Sequence, residues 1–398
     1  MKIKVGVIFG GETVEHEVSI ISAIQAINNM DTNKYEIVPI YIDKNRVWYT
    51  GRMLMDIQIY KDMELLKRYA KKVTLCKKNG RFFLVNTTGL FRRDIAEIDI
   101  AFPIVHGTNV EDGTLQGYLD TVGVPYVGCR VIGAALGQDK VIMKQVFESA
   151  GIPIVPYTWF FDSDYYSIRE EIFKNVNKLG YPVIVKPANL GSSVGINIAH
   201  NNDELATAIE DAINYDNKIV VEKVVQNMVE VNCSVLGNYE SQQVGVLEEV
   251  MGSDEILSYK DKYLGSGKTK GVKSSGSKGM ASASRIIPAR LSDKMAEEIK
   301  ETSKKVFRTL NLGGVCRIDY LIDKKHNKFY VNEPNTIPGS LAFYLWEPVG
   351  KSYPKLLDEM INIAIKDFKN RSNKTYSFDT NILSNFDGTK GSKGKLKG

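Results

Sequence analysis

Residues 329–340 read FYVNEPNTIPGS, an apolar run that stops at Glu333 and Asn335. Side chains of a β-strand alternate with a period of two, so these two polar groups project from one face, and Pro334 and Pro338 restrict the backbone around them. Upstream, Arg317, Ile318 and Asp319 lie in a second apolar run, VCRIDYLI, joined to the first by a turn at KKHN. Pairing the two runs as adjacent antiparallel strands gathers Asp319, Glu333 and Asn335 into a set of oxygen ligands. Magnesium takes a few carboxylates together with phosphate oxygens and water, so the set fits a metal that bridges nucleotide phosphates. For the segment alone, an ordinary strand-to-turn exit is the alternative, since Asn and Pro-Gly are common there. No His or Cys cluster suggests zinc. His16, His106, His200 and His326 are scattered, and the last two read as solvated loop residues.

Three glycine-rich stretches compete as phosphate sites. GSGKT at 265–269 ends like a P-loop, but Lys262 stands where that motif needs glycine, and no strand and helix flank it. VGVIFGGETVEH follows a first strand as a dinucleotide fingerprint does, yet Glu12 occupies the second glycine's place and denies a pyrophosphate close approach. KPANLGSSVGI differs, because an apolar strand delivers Lys186 and then a small-residue loop whose N–H groups can cradle phosphate oxygens; a surface turn is the other reading. In VVEKVV, Glu222 and Lys223 stand at a strand end in apolar company, which suits an adenine edge or, more simply, a charged strand exit.

The elements that must carry these groups follow from periodicity. IKVGVIF, YEIVPIYI and IDIAFPIV are strand-like, with a helix from about Val18 to Asn29 between the first two, so the N-terminal part reads as α/β units on a parallel sheet. Residues 51–96 are more polar and less regular and are expected to decorate it. A second unit opens near Val131 and runs through YPVIVKP, a helix with Leu205, Ile209 and Ile213 on one face, and KIVVEKVV. A third holds the Gly/Ser/Lys segment 265–279, a mobile loop by composition. After it, Ser292 is placed to cap a helix with Met295, Ile299, Val306 and Leu310 on one face, stopped at Gly313 and Gly314.

With 398 residues, 43% hydrophobic and 25% charged, the chain is globular and has room for two or three domains. Four lysines in the last nine residues supply most of the net charge of +5, and removing them leaves +1, which gives no case for a nucleic acid or membrane partner. The cysteines at 76, 129, 233 and 316 lack disulfide or metal spacing and are expected to be reduced and mostly buried. No signal peptide or membrane span is visible, and a cytoplasmic location is expected.

From GGETVEHEVS (10–19) through HGTNVEDGTLQG (106–117), PYVGC, QDK (138–140), KPANLGSSVGI, EKVV, DKY (261–263), RID and NEPNTIPG, the chain resembles the D-alanine:D-alanine ligases of the ATP-grasp superfamily, with the motifs in family order. The resemblance implies an α/β domain at 1–130, a central domain at 131–230 and a C-terminal domain at 231–376 with a mobile loop at 258–284, before a disordered tail at 377–398. ATP would lie between the last two domains. It further implies nucleotide contacts at Lys140, Lys186, Ser193, Glu222, Lys223, Val225, Glu230 and Lys262, and magnesium, two ions with manganese as an alternative, at Asp319, Glu333 and Asn335.

Glu15 matches the residue that holds the first substrate's ammonium group, with His106 nearby, and Ser192 and Tyr263 match partners that bond to Glu15 and close the site. Arg317 and the Gly339 N–H are placed to stabilise an oxyanion. His16 reads as a helix-start residue and Glu17 as a helix N-terminal charge. The implied reaction joins two D-alanines through an acyl phosphate for peptidoglycan precursor synthesis, in an enzyme whose family habit is the homodimer. After Gly339 the segment SLAFYLWEP is shorter than usual, so the family's serine contact to the second carboxylate has no positional match. Ser340, Leu341 and Tyr344 are the candidates for that subsite. A different acceptor, D-serine, D-lactate or another amine, is the alternative function. A basic nucleic-acid-binding protein is the rival from another class, and it lacks aromatic residues among its lysines.

Overall fold

The computed structural model describes residues 2–191, 194–251 and 285–378. The segment 258–284, all but the start of the tail, and Ser192, Ser193, Lys262 and Tyr263 lie outside the described residues, wholly or in the greater part.

Strand β1 (Ile3–Gly10) is buried along nearly all its length because it runs at the centre of a sheet, with Tyr35–Ile42 and Ile100–Pro103 parallel on either side. Helix α1 (His16–Asn29) follows, burying Ile20, Ala23, Ile24 and Ile27 at helical spacing. The sheet is not purely parallel, as the alternation had suggested. Trp48–Thr50, Lys71–Lys78, Arg81–Asn86 and Asp94–Ile98 add antiparallel strands to make seven, so the stretch expected to decorate the domain extends its sheet.

A second sheet of four antiparallel strands has the order Asn197–Ala199, Val183–Pro187, Lys218–Lys223, Tyr157–Phe161. The third is six-stranded and antiparallel, running from Arg285–Ile286 through Glu248–Val250, Met228–Gly237 and Gly314–Asp323 to the edge strand Lys328–Asn335, with Gln242–Val244 beside Met228–Gly237. Pro334 is tolerated because its strand lies at an edge. Ser292 caps helix Asp293–Thr309, accepting from the Met295 N–H at 3.3 Å, and the helix buries Met295, Ile299, Val306 and Phe307 against this sheet.

The cores cross the expected boundaries. Ala134, Met143 and Phe147, from the segment expected to open the central unit, pack into the core of the third sheet. Helix Tyr353–Ser372 reaches back to the first sheet's core with Leu356, Leu357 and Met360. Cys129, Cys233 and Cys316 are buried and all four thiols are free, as expected. No described helix is long and apolar enough to cross a membrane.

Candidate active site

Two glycines bring the N-terminal residues to the site. A Cβ on Gly10, at φ +92°, would stand 2.2 Å from the Ile42 carbonyl oxygen, so only glycine lets β1 turn directly into the approach to α1. Gly107, at φ +87°, passes so close to Thr13 that a Cβ would lie 2.3 Å from its hydroxyl. Glu15 then occupies the N-cap position of α1 without capping the helix itself, and a Cβ on Gly191 would lie 3.7 Å from its Oε2, so the glycine-rich loop starts against it. His16 turns the other way: Nδ1 donates to Gly11 O at 2.6 Å and Nε2 accepts from the Tyr41 hydroxyl at 3.0 Å, an anchoring role at the helix start. Glu17 pairs with Lys44 at the surface.

His106 is buried, with Nδ1 2.7 Å from the Ile337 carbonyl and Nε2 2.9 Å from Ser22 Oγ. A carbonyl can only accept, so the proton sits on Nδ1 and the serine donates to Nε2. Burial pushes the imidazole below its ordinary value against the pull of Glu15, so the ring is neutral. Glu111 lies on the same wall and accepts from the Gly107 N–H at 2.6 Å and the Ile337 N–H at 3.1 Å. Burial, reinforced by the charge of Glu15, pushes its carboxyl up to about 8.

Across the cavity stand the paired strands. Arg317 is opposite Asn335 and Asp319 opposite Glu333, and the register shifts beyond Asp319, where Asn332 is the extra residue of a bulge. The two-residue spacing on both strands puts all four on one wall. Arg317 grips Asp319 with two bonds of 2.7 Å, and Asn335 Nδ2 donates to Asp319 Oδ2 at 2.9 Å. Among the described residues no group of three or more His, Cys, Asp or Glu is arranged for a metal. The set here is two carboxylates and an amide oxygen, hard ligands of the kind magnesium takes while keeping water and phosphate oxygens.

Lysines and acids alternate from the second sheet to this strand. Glu222, buried, lies 2.9 Å from Lys186 and 3.1 Å from Lys144, and Lys186 also reaches Asn332 at 3.4 Å. Burial opposes the Glu222 charge, but the two lysines outweigh it and hold the carboxyl at about 2. Lys140 Nζ donates to Leu190 O, in the glycine-rich loop, at 2.8 Å and lies 3.4 Å from Glu333. Burial pulls the Lys144 ammonium below its ordinary value against the charge of Glu222, and Lys140, bonded to the loop at Leu190, is the lysine placed to meet a polyphosphate. Asn232 Oδ1 and Thr336 Oγ1, on residues of the cavity wall, are buried without a hydrogen-bond partner among the described residues, as befits a site that receives polar ligand atoms.

The comparisons agree with this geometry. The family model of the D-ala D-ala ligase N-terminus matches residues 4–129, and that of the C-terminus residues 146–362. The chain belongs to the D-alanine–D-alanine ligase family. A D-alanine–D-alanine ligase from Thermosipho melanesiensis is 39% identical over 383 residues, covering 96% of this chain and 98% of that protein. One from Thermoanaerobacter sp. strain X514 is also 39% identical, with coverage of 92% and 97%. Among solved structures, the D-alanine–D-alanine ligase from Coxiella burnetii superposes with a TM-score of 0.78 at 28% identity over 93% of this chain and 96% of that one. A D-Ala:D-Ser ligase from Enterococcus faecalis gives 0.75 at 29% identity over 92% and 100%. The three sheets are those of a three-domain ATP-grasp ligase.

Not every expected residue of the ligase site meets the cavity. Glu230, Gly339 and Lys140 line it; Lys186, Glu222, Lys223 and Val225 lie outside that lining. Lys223 alternates to the other face from Glu222, and its Nζ donates to Gly180 O and Tyr181 O at 2.7 and 3.0 Å, so its side chain does not read an adenine edge. The candidates after Gly339 are also committed elsewhere. Ser340 is buried with its hydroxyl donating to Gln25 Oε1 at 2.6 Å, Leu341 is in the core, and the Tyr344 hydroxyl donates to Glu248 Oε1 at 3.0 Å. As substrate contacts, Ser340 and Leu341 are therefore corrected to structural roles in the turn. That turn is left-handed at three successive residues, Ser340, Leu341 and Ala342, with φ of 52°, 54° and 48°. Such backbone costs an L-residue roughly 1–2 kcal/mol each, so the surroundings must enforce it.

Sequence reasoning missed Lys144, Glu111 and the buried Glu248, which also accepts from Asn232 Nδ2 at 2.9 Å and lies 3.4 Å from Arg285. Lys144 had a signal, being one helical turn after Lys140 on the same face. Glu111 lay within a quoted motif without a role. Glu248 had none.

Proposed function

We propose that the protein joins two D-alanines into D-alanyl-D-alanine for peptidoglycan precursor synthesis, with ATP converted to ADP and phosphate. The observation that carries this reading is the meeting, on one cavity, of Glu15 and His106 from the first domain with Arg317, Asp319, Glu333 and Asn335 from the third. Glu15 holds the ammonium group of the first D-alanine. A carboxylate oxygen of that first D-alanine attacks the γ-phosphorus, the bond to ADP breaks, and D-alanyl phosphate forms. The amine of the second D-alanine, having lost a proton, attacks the acyl carbon, and the tetrahedral intermediate collapses with phosphate as leaving group. Arg317 and the Gly339 N–H face the oxyanion that develops in between.

Lys140, Lys186 and the glycine-rich loop neutralise and position the phosphates, and the backbone of residues 223–225 is left to read the adenine edge. Asp319, Glu333 and Asn335 would hold magnesium, which supplies charge neutralisation of the phosphates. Ser192, Ser193, Lys262 and Tyr263 are assigned their family roles on sequence alone. The same reading keeps the enzyme in the cytoplasm, where ATP is, as a homodimer.

One observation favours a second reading, in which the acceptor is D-serine, D-lactate or another amine: the hydroxyls of Ser340 and Tyr344 are both engaged within the protein. The test is ATP turnover with D-alanine alone, with the product identified by mass. D-alanyl-D-alanine as the dominant product supports the first reading; activation of D-alanine with transfer only to a different acceptor supports the second.

A further inference from the structure

The short stretch that carries the Gly339 N–H is gripped by the other end of the chain. His106 Nδ1 donates to Ile337 O at 2.7 Å, and the Ile337 N–H donates to Glu111 Oε1 at 3.1 Å. Three residues on, the Ser340 N–H donates to Ser22 Oγ at 3.0 Å, and the Ser340 hydroxyl donates to Gln25 Oε1 at 2.6 Å. Ser22 has one proton, which it gives to His106 Nε2 at 2.9 Å, so its oxygen is left to accept from Ser340. Ile337, His106, Ser22 and Ser340 thus close a ring of hydrogen bonds around Pro338 and Gly339. Pro338 cannot rotate about φ, and the turn beyond is left-handed at three residues that are not glycine. Such a turn relaxes unless something outside it holds it.

We propose that Ser22 and Gln25 of α1 are positioning residues: by clamping the left-handed turn at Ser340 they fix the Gly339 N–H and the acceptor side of the site. Neither touches the reacting atoms. Both stand on the helix that Glu15 begins, about two and three turns beyond it, so one rigid element carries the carboxylate that accepts from the first D-alanine's ammonium group and the clamp on the turn beside the second subsite. A loosened turn leaves ATP binding and acyl phosphate formation in place and impairs capture by the second amine. The acyl phosphate then loses its phosphate to water, giving back D-alanine, with water supplying the oxygen and the protons.

This rests on the ligase reading, and the experiment separates the two. Phosphate released and dipeptide formed are measured together, with ATP, magnesium and D-alanine, for the wild type, Gln25→Met, which removes the acceptor, and Gln25→Glu, which keeps one. The expected result for Gln25→Met is a KM for the second D-alanine raised roughly five- to tenfold, the scale of one buried hydrogen bond, with more phosphate than dipeptide and an unchanged KM for ATP. Gln25→Glu restores the one-to-one ratio. A Gln25→Met enzyme that is less stable but keeps wild-type coupling and KM overturns the clamp. Amide hydrogen exchange across 340–342 reads the same clamp without turnover: faster exchange in Gln25→Met than in the wild type is expected, and unchanged protection overturns it. A wild type that makes no dipeptide while showing that exchange difference contradicts the ligase reading alone.

Discussion

Arg317 clasps Asp319 through two parallel hydrogen bonds of 2.7 Å, Nε to Oδ1 and Nη2 to Oδ2. Burial works against the guanidinium charge, but the Asp319 carboxylate outweighs it and holds the group well above its ordinary value. The residue assigned to the oxyanion is thereby fixed in place by a residue assigned to the metal. Lysine cannot reproduce a forked contact. Arg317→Lys should lower kcat by about 10²–10³ with little change in the KM for ATP, as loss of an oriented oxyanion donor does. Near-normal kcat in the folded variant contradicts the assignment.

Asp319→Asn and Glu333→Gln keep volume and remove ligand charge. Each should cut turnover about 100-fold or more, partly restored by raising magnesium, with an unaltered circular dichroism spectrum. Turnover that ignores both changes and the magnesium concentration removes the metal from the mechanism.

Glu222 lies between Lys144 and Lys186 and is held at about 2, below an unfolded value of about 4.3. Its contribution to stability is therefore fully present above about pH 4.3 and is lost as pH falls through about 2. Glu222→Gln strands two buried lysines and should destabilise the fold by about 3–5 kcal/mol near pH 7. Denaturant titration should show that gap shrinking below about pH 4; a gap that is constant down to pH 3 contradicts the assignment.

Gly10→Ala sets a Cβ against the Ile42 carbonyl oxygen, which belongs to a central strand and cannot move aside. A loss of about 2–5 kcal/mol is expected from thermal unfolding, the sum of a left-handed φ and overpacking. A melting temperature within a degree of wild type counts against so tight a turn.

What was legible in the sequence is what has a short period or a fixed motif. β1 and the strand pair carrying Arg317 and Glu333 announce themselves through short apolar runs, and α1 through apolar residues at helical spacing. The antiparallel strands at 71–98 did not, because both Lys71–Lys78 and Arg81–Asn86 show charged residues to solvent and bury only a few positions each. Contacts between distant segments were also invisible. Nothing around Ser340 says that its hydroxyl belongs to Gln25, since the two are 315 residues apart, and three left-handed residues without a glycine leave no local signature. Lys223 shows the opposite error: a charged residue in the right motif whose side chain alternation turns to the far face.

The measurement that tests the central claim most directly is phosphate release against a panel of D- and L-amino acids and D-hydroxy acids, with each product identified by mass. With ATP, magnesium and D-alanine as the sole amino acid, the expected result is one phosphate for each D-alanyl-D-alanine formed. No ATP turnover with D-alanine, or turnover in which D-alanine is activated but joined only to another acceptor, would contradict it.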